Sequence, residues 1–152
     1  MTATSNAPAF ALIMLLTGIG IPILAALNGG LGARLGSPMA ASMILFGLAF
    51  LIATTGALLT SSVGQVRFTS DIPAQFYFGG LFVAFYVIAV TFIAPKFGVG
   101  NAIFFVLVGQ LISAATIDHF GLFGAMRSAI DAKRVAGIAL MIAGVYLARK
   151  TS

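Results

Sequence analysis

The chain has 152 residues, of which 61% are hydrophobic and 7% charged, with a mean hydropathy of +1.14. A soluble domain carries roughly a quarter charged residues, so this composition excludes one and points to an integral membrane protein. The net charge of +5 comes from basic residues scattered between apolar runs, which is not the basic face that nucleic acid requires; phosphate headgroups at the membrane surface are the better partner.

The remaining chemistry is sparse. There is no Cys and no Glu, the acids are Asp71, Asp118 and Asp131, and His119 is the only histidine. A disulfide framework, a thiolate site and a histidine metal cluster are therefore all excluded. No phosphate loop and no nucleophile paired with a base occurs, so the sequence gives no ground for an enzyme, a metal or a cofactor.

The N-terminal "MTATSNAPAF" carries no Lys or Arg before the first apolar run. A signal peptide has a positive start and a short apolar core, whereas this run continues to about residue 33, so we read it as a retained membrane helix. A spanning helix needs about 20 mostly apolar residues, and five candidates follow in order: about 9–33, 38–60, 75–94, 100–118 and 132–149. The expected fold is an all-α integral membrane protein of five transmembrane helices, two tandem helical hairpins plus a fifth helix, forming a single transmembrane domain over 1–152.

The first helix contains "TGIGIP", with Gly18, Gly20 and Pro22 at membrane depth. Proline removes a backbone hydrogen bond and bends a helix, so this helix is expected to be broken. The bend reads either as a substrate-facing hinge or as a packing kink. Asn28 stands beside Gly29 and Gly30, either bonding across helices or capping a frayed end. The second helix is followed by the longest polar stretch, "TSSVGQVRFTSDIP", residues 60–73.

The third helix opens with "QFYFGGLFVAFYV". Phe76, Tyr77 and Phe78 suit an interfacial belt. Phe82, Phe85 and Tyr86 lie deeper, in the core or lining a pocket for an apolar or cationic ligand. Gly80 and Ala84 form a small-residue face. In the fourth helix Gln110 sits mid-membrane, where a carboxamide facing lipid is costly; it is expected to face protein or a cavity, with Ser113 and Ile117 on the same face. Asp118 and His119 end that helix, either as a protonation gate or as an interfacial polar end.

The fifth helix has the weakest signal, since its uninterrupted apolar core, Val135–Ala148, is only 14 residues. Arg134 and Arg149 are expected to snorkel to the two surfaces. Its Gly137/Gly144 stripe suits a dimer contact.

A spacing of 62 residues recurs, aligning Arg34, Leu35, Gly36, Ala40 and Gly47 with Lys96, Phe97, Gly98, Ala102 and Gly109, and Gly18 with Gly80. Two readings stand: duplication of a helical hairpin, the usual construction of secondary transporters, or two short corners that converged on a basic residue and a glycine. Orientation follows Lys and Arg in short loops. The side of the N-terminus holds Arg67, Arg127, Lys133 and Arg134; the other holds Arg34, Lys96, Arg149 and Lys150. This balance reads either as misplaced helix ends or as dual topology, with copies inserting both ways and pairing antiparallel.

Several segments resemble the YdcZ-type inner-membrane exporter family of the drug/metabolite transporter superfamily. They are "GIGIPILAALNGGLGARLGSP", "GGLFVAFYVIAVTFIAPKFGVGNAI", "GQLISAATIDHFGLFG" and "RVAGIALMIAGVYL". The resemblance implies a five-helix half-transporter in the inner (plasma) membrane, in single, paired or fused versions, including dual-topology ones; it supplies no substrate. The segment "LFGAMRSAIDAKRV" departs from it, lacking the proline-rich corner expected before helix five.

The leading expectation is a small secondary transporter, an exporter of a small molecule or metabolite. It would work by alternating access as a homodimer or with an oppositely oriented relative. Its expected substrate pathway includes Pro22, Asn28, Tyr86, Gln110, Ser113, Asp118 and His119. The alternatives are a small dual-topology ion channel and a non-transporting membrane subunit of a larger complex.

Overall fold

The computed structural model describes residues 6–66 and 72–148. Arg67, Asp71, Arg149 and Lys150 lie outside the described residues, so part of the charge balance, and the outer snorkelling arginine of helix five, cannot be placed. Five α-helices make up most of the described chain: α1 (Ala7–Leu35), α2 (Pro38–Leu59), α3 (Gly79–Phe97), α4 (Val99–Phe120) and α5 (Ala132–Ala148). Short 3₁₀ turns cover Ser62–Gln65, Ala74–Phe78 and Leu122–Gly124, and no strand occurs among the described residues. The protein is an all-α membrane protein. Four spans, Ala7–Leu35, Pro38–Leu59, Ala74–Phe97 and Val99–Phe120, are long and apolar enough to cross a bilayer. The fifth helix has 17 residues.

The distribution of side chains by size is the reverse of a soluble core. Long apolar side chains such as Met14, Leu27, Met43, Leu51, Phe82 and Leu147 are exposed. What is buried is mostly small: Ala25, Ala41, Ala94, Ala102, Ala115 and Ser42, with Gly29 and Gly32 on α1. Lipid tails are as apolar as leucine, so burying large apolar surface gains little in a membrane. Small residues let helix backbones approach and gain dispersion contacts instead.

The chain groups into two compact units, residues up to Lys96 and residues from Phe97 onward. In the first, α1 packs along α2 and touches α3. The corner between α1 and α2 follows from its residues. Gly36 adopts the left-handed conformation (φ 65°), and the Ser37 N–H reaches back to the Gly32 carbonyl at 3.0 Å, closing the helix end. The Ser37 hydroxyl then accepts the Ala40 N–H at 3.1 Å and Pro38 supplies the first turn of α2. In the second unit, α4 packs against α5.

The 62-residue spacing has a local backbone counterpart. Leu35 and Phe97 each close a helix, and Gly36 and Gly98 each follow with positive φ, 65° and 89°. The two links differ in form, because α4 starts directly after Gly98 whereas Ser37 separates Gly36 from α2.

The expected break in helix one is corrected. The helix runs without interruption from Ala7 to Leu35 with Pro22 inside it. Proline removes one hydrogen bond but its φ is helical, so the helix continues through it.

Candidate substrate-binding site

The polar centre of the first unit lies between α1 and α3. Ala25, Asn28, Gly29 and Gly32 form the buried stripe of α1. Gly29 and Gly32 bring the helix close to its neighbours. A Cβ on Gly29 would stand 3.1 Å from Pro95 Cγ; one on Gly32 would stand 3.2 Å from Pro38 Cα and 3.3 Å from Thr91 Cγ2. That close approach sets Asn28, at 5% exposure, against Thr91, at 1%. The Asn28 Nδ2 donates to Thr91 Oγ1 at 2.6 Å, and Thr91 Oγ1 donates to the Val87 carbonyl at 2.6 Å.

This chain of bonds has a direction. The hydroxyl proton of Thr91 goes to Val87, so the hydroxyl oxygen must accept, and the carboxamide must turn its amino group toward it. Among the described residues the Asn28 carbonyl oxygen accepts no hydrogen bond. Of the two readings of Asn28, the structure shows the bond across helices. Thr91 was missed by sequence reasoning, although it is the one aliphatic hydroxyl in α3. Ser42, also missed, is buried on α2 and donates to the Pro38 carbonyl at 2.9 Å.

The other expected residues are not gathered at this centre. Pro22 is half-buried in mid-helix. Tyr86 is half-buried, and its hydroxyl is enclosed with no hydrogen-bond partner among the described residues. Phe82 and Phe85 are 73% and 74% exposed, so neither is packed into a core among the described residues. Gln110 and Ser113 are both exposed. The expectation that Gln110 faces protein or a cavity is therefore not met within one chain. It stands on the outer surface of α4, beside the open Gly109.

Asp118 and His119 do other work in the second unit. Without a proline, the stretch from Gly121 to Asp131 is shaped by positive φ at Gly121, Phe123 and Gly124. It is tied down by the last turn of α4. The Asp118 carbonyl accepts the Ser128 N–H at 2.8 Å, and His119 Nδ1 accepts the Ile130 N–H at 3.0 Å. Arg127 Nε donates to the His119 carbonyl at 3.3 Å. The Asp118 carboxylate pairs with Arg134, which also donates to the carbonyl and hydroxyl of Ser128. Asp131 caps α5 by accepting the Arg134 N–H at 2.7 Å. Arg134 is thus engaged at the α4–α5 joint, where an acid lies within its reach. No group of three or more His, Cys, Asp or Glu side chains that could hold a metal occurs among the described residues.

A family model described as "Putative inner membrane exporter, YdcZ" matches residues 9–147. The chain belongs to the YdcZ inner membrane exporter family. It is accordingly a multi-pass protein of the inner membrane, in a family of exporters, with the lipid bilayer around it. The comparisons with curated proteins and with solved structures each returned no match.

Proposed function

We propose that this YdcZ-family chain is half of an exporter. Two copies, inserted in opposite orientations, would form one transmembrane body that works by alternating access. The observation that carries this reading is Gln110. It lies twelve residues into a 22-residue span and is exposed, together with Ser113. An unpartnered carboxamide in hydrocarbon costs on the order of 2–7 kcal/mol, so this face calls for a protein or water-filled partner. The open glycines of α3 and α5, Gly80, Gly137 and Gly144, offer further surface for close helix contact. A second copy facing α4 would place two Gln110–Ser113 edges across one cavity. Pro22, Asn28 and Tyr86 of the first unit, and Asp118 and His119 of the second, are the further residues we assign to the substrate pathway.

The test is topology. A cytoplasm-active and an exterior-active reporter are fused, separately, after Ser152. Activity from both, collapsing to one when a few Lys or Arg are moved between loops, is the expected outcome. Activity from one reporter only would exclude the antiparallel homodimer and leave a parallel assembly or a partner of fixed opposite orientation.

A further inference from the structure

The first unit carries a second feature, apart from the Asn28–Thr91 pair. A cavity of ≈ 300 Å³ opens where the C-terminal ends of α1 and α3 meet the start of α2, lined by Gly32, Ala33, Gly36, Pro38, Phe92, Pro95 and Lys96. The position follows from glycine and proline. Gly32 and Gly36 have no side chain to fill the space, and Pro38 and Pro95 present rigid apolar edges. Three helix ends meet there, so the cavity lies at headgroup depth.

One charge serves it. The Lys96 ammonium rests 3.5 Å from the centroid of the Phe92 ring, one turn back on α3. That is a cation–π contact, weak at an exposed site, which leaves the ammonium free to exchange it for an anion. Among the described residues no carboxylate pairs with Lys96. Arg34, beside the lining residue Ala33, donates to the Gly30 carbonyl at 3.2 Å and has no acid either.

We propose that this cavity holds the phosphate of an anionic phospholipid, with Lys96 swung from Phe92 onto the phosphate. The glycerol and upper acyl carbons would lie against Phe92, Pro38 and Pro95. The wall decides between a lipid and a free anion. A dissolved phosphate surrenders its hydration and needs several donors in return, whereas this cavity offers one ammonium and otherwise apolar surface. A lipid arrives with its phosphate already at the interface and brings apolar carbon to the wall. The inference does not depend on the exporter being a dimer.

The test is native mass spectrometry of the purified chain. Dioleoyl phosphatidylglycerol and dioleoyl phosphatidylcholine are titrated in equal amounts. Wild type is expected to retain the glycerol lipid about five-fold over the choline lipid, the worth of one interfacial lysine. Lys96→Gln should bring the ratio close to one, and Lys96→Arg should keep most of it. Ala33→Leu fills the cavity without changing charge and should also lose the preference, which keeps the test decisive if Lys96→Gln folds poorly. An unchanged ratio in Lys96→Gln or Ala33→Leu overturns the proposal. So does displacement of the lipid by excess inorganic phosphate, which would make this a general anion site.

Discussion

At the scale of single residues, the interior depends on a few small groups whose replacement should be felt at once. Thr91→Val keeps the volume but removes the acceptor for Asn28, leaving a buried amide N–H unpaired. Hydrogen bonds between membrane helices are worth about 0.6–1.7 kcal/mol, and a loss in that range is expected by thermal unfolding in detergent, with Thr91→Ser close to wild type. Gly32→Ala should cost more, about 1–3 kcal/mol, because its Cβ would meet the Pro38 backbone rather than a movable side chain. Gly18→Ala is the control: its site is open, and the same substitution should be neutral or stabilising by up to about 1 kcal/mol. The sequence made these glycines visible but not their ranking. Composition marks Gly18 and Gly29 alike, and only the neighbouring helix distinguishes an open glycine from a contact one. Thr91 escaped for a related reason. One hydroxyl in an apolar helix carries no periodic signal, and its importance comes from Asn28, 63 residues away.

At the scale of elements, helix existence and ends were legible because each span is a long apolar run stopped by a glycine or a polar residue. Leu35 and Phe97 close helices one residue before Gly36 and Gly98, where the repeat had placed the corners. The α4–α5 joint was not legible. Its order comes from side chains folding back on backbone groups, a pattern with no fixed spacing. This joint should respond to loss of the imidazole. His119 Nδ1 accepts the Ile130 N–H, and His119→Phe removes that acceptor. Hydrogen-exchange protection at Ile130, corrected for the intrinsic rate, is expected to fall in His119→Phe. Protection at Ser128, held by the Asp118 carbonyl, should hold. Equal loss at both amides would mean that the whole joint melts. The Asp118–Arg134 pair is about one-third exposed on each side. Asp118→Asn should therefore cost less than about 1 kcal/mol.

At the scale of the whole molecule, the exposed polar edge of α4 is the feature a second chain would have to cover. The sequence contains no cysteine, so an introduced one reports without background. Gln110→Cys is expected to form an oxidant-dependent dimer in membranes, whereas cysteine at lipid-facing Leu27 should not. Gln110→Leu should leave the chain inserted and lower flux in vesicles at least ten-fold if the carboxamide orients the cargo. Unchanged flux would reduce Gln110 to a packing contact. The exporter class was readable from segments spread along most of the chain. The cargo was not, because the polar groups on offer, the Asn28 carboxamide oxygen, the Tyr86 hydroxyl and the Gln110–Ser113 edge, are too few to describe a molecule.

Among the described residues, the longest and shortest α-helices set one further condition. At 1.5 Å per residue, the 29 residues of α1 measure about 43 Å and the 17 of α5 about 26 Å. One exceeds a hydrocarbon layer of about 30 Å and the other falls short of it. A thick bilayer relieves α1 and strands α5; a thin one does the reverse, forcing α1 to lean. Acyl-chain length therefore acts on the two ends of this chain with opposite sign, and the thickness of the host membrane becomes a variable of the protein's conformation.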